Sequence, residues 1–275
     1  MSDIVLSSGV RSNLLQLQQT ADLITKTQTR LATGRRVNTA LDNPINFFTA
    51  QGLTLRANDL NSLLDSMSTG INTIQAADNG ITAITKLVQS AQSLVSQAQQ
   101  TSDTTVRSTL AAQFDDLLSQ IDQLASDAGI NGVNLLNGDS LTITLNETGA
   151  STVVITGYTD TAAGDLAVTG AANNWASAAD VTAAAGDLTT ALVTLRSQSQ
   201  ALSSNLQVVQ VRQDFTKAMI NTLTSGADGL TLADSNEEGA NLLALQTRQQ
   251  LATNALSLSA QNGRASCRER VLRLV

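Results

Sequence analysis

The sequence predicts a mainly α-helical chain, with long antiparallel coiled-coil helices forming a rod, a small β-rich insertion and paired terminal helices. Three observations predict it. Aromatics are 2 % of the chain and proline occurs once, at Pro44, a composition suited to long helices packed along aliphatic seams. Apolar residues recur at alternating steps of four and three through most of the sequence. One stretch alone, from Gly129 to about Ala176, turns to Asn-Gly dipeptides and β-branched runs.

The first seam runs Val10, Leu14, Leu17, Ala21, Ile24 and Leu31, with Gln28 its one polar step. Leu15 and Leu23 lie off it, so this helix has apolar surface beyond what one partner covers. Gly34 suits its C-terminus, and Lys26, Arg30, Arg35 and Arg36 complement the dipole at that end. Gly34–Pro44 reads as a connector, with Pro44 in the first turn of the next helix. That helix carries an apolar stripe from Leu60 to Ala98 with one phase shift at Ala77. Gly80 beside the shift invites a kink, but the persistence of the stripe predicts one continuous helix from Pro44 to Gln100. A third stripe, Leu110, Phe114, Leu117, Ile121, Leu124 and Ala128, follows a short polar turn and predicts an antiparallel helix pair.

Asn131-Gly132 and Asn137-Gly138 then mark turns. Leu141–Leu145 alternates with period two, Thr152–Thr156 is β-branched, and Gly149 lies between them, so a hairpin is expected. The fourth stripe, from Val181 to Leu223, includes Leu192, Leu195, Leu202, Leu206 and Val209 as the rod seam. Its helix is on the order of 65 Å long at about 1.5 Å per residue. Ser199 and Gln213 are polar steps on this seam, read either as setting register or as polar positions the seam tolerates. Gly226 and Gly229 read as a connector to the last helix. There Ser235 is the expected N-cap, with Glu238 at capping-box spacing. The leucines of that helix, Leu242, Leu243, Leu245, Leu251, Leu256 and Leu258, do not keep to one narrow face, so it needs neighbours on most sides. Phe47, Phe48, Phe114 and Phe215 are expected as core fillers.

Composition excludes several function classes. The chain has no histidine, and Cys267 is its only cysteine. An internal disulfide, zinc or copper sites built on those ligands, and Ser-His-Asp or Cys-His catalysis are ruled out. The carboxylates are scattered without a catalytic partner at a recognisable spacing, so no enzyme and no cofactor is expected. The N-terminus has no basic n-region followed by an apolar run, so no cleaved signal peptide is expected. No run of 18 apolar residues occurs, so no membrane insertion is expected either. Residues 1–36 and 234–275 carry 10 Lys/Arg against 6 Asp/Glu, whereas 37–233 carry 6 against 17. That acidic middle opposes nucleic-acid binding and reads as a solvated surface.

The pattern divides the chain into 1–44 plus 227–275 as a terminal coiled-coil domain, 45–138 plus 176–226 as a long-helix rod, and 139–175 as a small β-rich region. Leu14, Leu17, Ile24 and Leu31, with Leu242, Leu245, Leu251 and Leu256, are the candidate polymerisation and packing residues. Such a layout suits a subunit that polymerises through its ends and displays its middle.

Several long motifs, in order, resemble the bacterial flagellins. RLATGRRVNTALDNP (Arg30–Pro44) is similar to the family's N-terminal helix-to-spoke motif. INGVNLLNG (Ile130–Gly138) resembles the segment leading into its β region. RQDFTKAMINTL and then LTLADSNEEGANLLALQTRQQLATNALSLSAQ resemble its C-terminal region, in the form of short alphaproteobacterial flagellins. The resemblance covers most of residues 1–261 and is weakest over 139–180. It implies a structural subunit of the extracellular flagellar filament, self-assembling into a helical homopolymer for motility, with its terminal helices innermost and the β region facing solvent. It implies as partners an export chaperone on the C-terminal helix, the flagellar secretion apparatus, and the hook-associated and cap proteins. The alternatives are a hook–filament junction protein, which shares similar termini, and a cytoplasmic coiled-coil scaffold. Asn146-Glu147-Thr148 is a formal glycosylation sequon, read as incidental. Asn262–Arg270 departs from the family pattern. Its Asn262-Gly263 is turn chemistry, expected to break the helix there.

Overall fold

A computed structural model describes residues 8–272, with side chains described through Ser259 and at Gln261. Five α-helices and a hairpin follow in the order α1 (Ser8–Thr33), α2 (Pro44–Gln100), α3 (Thr104–Asp127), β1 (Leu141–Thr144), β2 (Thr152–Ile155), α4 (Ala178–Thr231) and α5 (Ser235–Leu272) among the described residues. They sort into two compact units, one of residues up to Leu55 with those from Leu223, the other Arg56–Thr222.

In the second unit the seams anticipated from the four-three spacing become the core. Met67, Ile74, Ile84 and Val88 of α2, Leu110, Phe114 and Ile121 of α3, and Leu188, Leu195, Leu202 and Val209 of α4 belong to one buried cluster. A three-residue turn, Thr101–Asp103, returns the chain from α2 into α3. Asp103 caps α3 by accepting from Thr105 N at 2.8 Å. Arg107 closes the other side of the turn. It is buried, and its Nε donates to Ala98 O at 3.2 Å and Thr101 O at 2.8 Å. A cation thus sits on orphan carbonyls at the negative end of α2. Ser199 of α4 donates to Asp78 of α2 at 2.8 Å, a polar tie of the register-setting kind.

α2 runs unbroken through Gly80, as the continuous stripe predicts. A Cβ at Gly80 would lie 2.6 Å from Leu136 Cδ1 and 3.0 Å from Ala128 Cβ, so the residue marks a close approach rather than a kink. Two expectations about helix ends are overturned. α4 continues through Gly226 and Gly229 to Thr231 instead of stopping near Leu223. Leu53 Cδ1 lies 3.4 Å from where a Cβ of Gly226 would stand, so that glycine too accommodates a neighbour. Likewise α5 continues through Asn262-Gly263 to Leu272. Once a helix is propagating, each residue adds a hydrogen bond, and an interior glycine costs only about 1 kcal/mol relative to alanine.

Beyond α3 the local chemistry is dense. Ile130 and Val133 exchange both backbone hydrogen bonds at 3.0 Å around Asn131 (φ 52°) and Gly132 (φ 80°), the tight turn expected from Asn-Gly. Asn134 then caps α3, its Nδ2 donating to Ala125 O and Ser126 O at 2.8 Å. β1 and β2 pair antiparallel with Leu141 opposite Ile155 and Thr144 opposite Thr152. Ile143 and Ile155 face the core, and a Cβ at Gly70 of α2 would lie 2.5 Å from Ile143 Cδ1. Asn146 of the sequon straps the hairpin loop: Oδ1 accepts from Ser151 N at 2.9 Å and Nδ2 donates to Thr148 Oγ1 at 2.8 Å. Glu147 in that loop pairs with Arg56 of α2, and the loop's own backbone N–H and the guanidinium hold its carboxyl below the ordinary range.

Along the following segment, to the short 3₁₀ turn at Ala172–Trp175, carboxylates of the acidic middle accept hydrogen bonds while Asp115, Asp122 and Asp165 stay exposed to solvent. Asp122 accepts from Ala162 N at 2.6 Å, Asp115 from Ala171 N at 2.8 Å, Asp187 from Thr169 Oγ1 at 3.1 Å and Asp165 from Thr159 N at 2.8 Å. Carboxylates on α3 and α4 therefore hold this segment down by accepting its donors. Trp175 is fully buried, its ring centroid 5.0 Å from that of Phe114. Phe114 is the only one of the four phenylalanines that is buried. Phe47 is half-buried, while Phe48 and Phe215 are exposed because they fall off the buried seams of α2 and α4.

Gly157 gives a direct test of this packing. A Cβ there would stand 1.9 Å from Asp139 O and 2.9 Å from Leu135 O, and backbone cannot yield as a side-chain tip can. Gly157→Ala is expected to break the adjoining Tyr158 N to Leu135 O bond and to cost about 2 kcal/mol in thermal unfolding.

Candidate functional site

Gly34, at φ 67°, ends α1 and turns the chain into a connector that pairs with the one before α5. Arg36 N donates to Thr231 O at 2.7 Å and Ala233 N to Gly34 O at 3.0 Å, flanking an antiparallel bridge between Arg35 and Leu232. Val37 is buried beside this pairing. Asp42 organises the rest of the first connector, accepting from Asn38 N and Thr39 N, each at 3.1 Å. Those two backbone donors hold its carboxyl below the ordinary range, with Lys26 Nζ 3.8 Å away. Asn43 caps α2, accepting from Asn46 N at 3.1 Å ahead of Pro44.

The paired connectors bring the end of α1 against the start of α5, and from there the two helices pack together. The start of α5 differs from the capping box expected at Ser235. Asp234 is the cap: its Oδ1 accepts from Asn236 N at 2.8 Å and its carbonyl from Glu238 N at 2.9 Å. Glu238 is thereby released from a capping role. Its Oε1 accepts from Arg30 Nη1 at 2.9 Å, joining residues 208 positions apart, and Glu238 is buried. The charge-dipole reading of Arg30 missed this, because sequence spacing carries no signal for a pair so remote.

The leucines fall into two groups. Ile24 is buried, and Leu17, Leu242, Leu245 and Leu256 are half-buried. Leu14, Leu31 and Leu251 are exposed, as are the off-seam Leu15, Leu23, Leu243 and Leu258. Buried beside Ile24 on α1 are Thr20 and Thr27. Thr20 satisfies its hydroxyl on Gln16 O at 2.8 Å within its own helix. So α1 turns a partly polar face inward and leaves much of its leucine outward. Within the other unit, Leu195, Leu202 and Val209 of the rod seam are buried and Leu192 and Leu206 half-buried. Among the described residues no group of three His, Cys, Asp or Glu is placed to hold a metal, and no helix is long and apolar enough to cross a membrane.

A helical pair tied at one end by the Arg30–Glu238 ion pair thus leaves a leucine-rich surface exposed, the architecture of a structural helical subunit rather than of a catalytic pocket. The family model for the bacterial flagellin N-terminal helical region matches residues 7–140. Flagellin FljM of Caulobacter vibrioides is 30% identical over 264 residues, covering 95% of this chain and 96% of that protein. Flagellin FljN of the same organism is 31% identical, covering 96% and 97%. A flagellin of Brucella melitensis is 26% identical, covering 94% and 95%. Among solved structures, Bacillus cereus flagellin aligns with a TM-score of 0.47 at 21% identity, covering 56% of this chain and 88% of that one. The chain belongs to the bacterial flagellins, structural subunits of the flagellar filament.

Proposed function

We propose that α1 and α5 together form the polymerising element of this flagellin, with Leu14, Leu17, Ile24 and Leu31 on one helix and Leu242, Leu245, Leu251 and Leu256 on the other. The observation that carries this is the surplus of leucine: Leu14, Leu31, Leu243 and Leu251 remain exposed on a pair already closed by Arg30 and Glu238. Neighbouring subunits are the occupants of that surface. In this reading 1–44 plus 227–275 is the inner assembly domain, 45–138 plus 176–226 the surrounding helical layer, and 139–175 the outward region. The rod seam Leu192, Leu195, Leu202, Leu206 and Val209 holds that layer together. The role is structural rather than catalytic, and the site of action is the extracellular filament, reached without a cleaved signal peptide. Before assembly an export chaperone covers α5, the flagellar secretion apparatus passes the chain outward, and the hook-associated and cap proteins bound the polymer. The full-length relatives are themselves flagellins, which favours a filament subunit over a hook–filament junction protein.

Leu251→Asp is the test. Leu251 is 64% exposed, so the monomer's unfolding should shift by no more than about 0.5 kcal/mol. Seeded polymerisation followed by sedimentation and electron microscopy should show the critical concentration rising at least about tenfold, since even 1.4 kcal/mol per subunit contact has that effect. Undiminished filament growth would remove α5 from the assembly surface. A wild-type chain that forms no long filaments on seeds would instead point to the junction role.

A further inference from the structure

Asp160 is the least expected residue in the chain. It lies in the segment after the hairpin, is 0% exposed, and neither carboxyl oxygen has a hydrogen-bond partner. Beside it on α4 lies Gln198, itself buried, whose Oε1 also lacks a donor. Two sets of unpaired acceptors enclosed together are short of a proton, and an isolated buried carboxylate is strongly disfavoured. A neutral acid group resolves both, because its O–H can donate to Gln198 Oε1. Only the Gln198 amide N–H₂ favours the ionised form instead, and burial opposes it more strongly. Its own segment supplies Tyr158 and Asp165 as acidic or phenolic neighbours, while Asp122 of α3 and Asp187 of α4 bond to Ala162 and Thr169 further along and Asp139 lies beside Gly157. Each of the four aspartates is engaged elsewhere, accepting from Thr159 N, Ala162 N, Thr169 Oγ1 and Asn134 N respectively for Asp165, Asp122, Asp187 and Asp139. Among the described residues no Lys or Arg forms an ion pair with Asp160.

We propose that the segment Gly157–Val168 is a latch that closes on α4 with Asp160 protonated and loosens when Asp160 ionises. Burial foremost pushes this carboxyl up, hydrogen bonding to Gln198 opposes the rise, and the nearby Asp165 charge adds to it, leaving the group at about 6. The sign follows from linkage. A group whose acidity is weakened in the closed state stabilises that state fully below its ordinary range, and the stabilisation is lost as pH rises through about 6. The latch is therefore tightest in mildly acidic surroundings and looser at neutral pH and above. The backbone supplies the frame that closes: Asp160 N donates to Leu136 O at 2.9 Å and Tyr158 N to Leu135 O at 2.6 Å. The proposal concerns the unit Arg56–Thr222 and does not depend on how the terminal helices assemble.

Amide hydrogen exchange of the full-length chain between pH 5 and 8, corrected for intrinsic rates, tests it. The opening constant of the Gly157–Val168 amides should rise about tenfold across that range, while α2 and α3 amides stay level. In Asp160→Asn, neutral at every pH, the rise should vanish. An equal rise in both proteins, or none in the wild type, would overturn the latch. Should the Asn variant fail to fold, carboxyl-carbon NMR titration of Asp160 in the wild-type chain decides it: a midpoint near 6 supports the latch, and one in the ordinary aspartate range refutes it.

Discussion

Replacing Leu202 by Asp is expected to unfold the Arg56–Thr222 unit and to abolish filaments. Leu202 is 0% exposed, on the α4 seam that joins Met67, Ile74 and Phe114 in one cluster. Losing the buried leucine alone costs about 3–5 kcal/mol, by analogy with leucine-to-alanine changes in cores. Enclosing a carboxylate, or holding it protonated, adds several more, at least about 2 kcal/mol. The sum approaches the whole stability of an ordinary domain, roughly 5–15 kcal/mol. Val211→Asp supplies the contrast on the same helix, since Val211 is 63% exposed and its replacement should change stability by no more than about 0.5 kcal/mol. Circular dichroism melts of the two variants, with electron microscopy of cells, check the pair of outcomes. Normal motility with Leu202→Asp would refute the seam as a structural necessity.

Glu238→Ala is the second large effect, and it acts on the other unit. Arg30 would keep a side chain only 26% exposed at the end of α1, with its ion-pair partner Glu238 gone. Breaking a buried pair from one side costs about 3–5 kcal/mol, and the partial exposure of Arg30 places this case near 3. Double replacement by Arg30→Met and Glu238→Leu should recover most of that loss, because well-packed apolar side chains substitute for a buried pair at little cost. Chemical denaturation of the single and double variants measures the coupling directly. With the single variants Arg30→Met and Glu238→Leu measured as well, a double-variant loss equal to the sum of the two single losses would show that the pair contributes nothing beyond its separate residues.

These two sites also mark the limit of what the sequence discloses. The Leu202 seam was legible because a helix buried along one stripe must repeat its apolar residues every three or four positions, whatever its partner. The Asn131-Gly132 turn was legible for a local reason: few residues reach left-handed φ without strain. Arg30 with Glu238 was not, and neither was Arg107 on the carbonyls of Ala98 and Thr101. A polar side chain's partner depends on which elements meet, and nothing in its own neighbourhood announces that. The same holds for Asp115, Asp122 and Asp187, which look like solvated charges until the segment 157–176 is laid across α3 and α4. Helix ends fared worst. Gly226, Gly229 and Asn262-Gly263 carry stop signals of about 1 kcal/mol each, which the continuing ladder of backbone bonds exceeds. Among the candidate assembly leucines, the seam of α1 was drawn through Leu14 and Leu31, whereas the buried side chains there are Thr20, Ile24 and Thr27. Threonines on a buried face escape a reading that counts only apolar residues.

The tie between Arg30 and Glu238 also has a meaning in time. Its partners stand 208 residues apart, whereas α2 and α3 are joined by three residues and need close only a short loop. Contacts between near neighbours form early, and those that must close nearly the whole chain form late. The contact between α1 and α5 is therefore the last part of the fold to close.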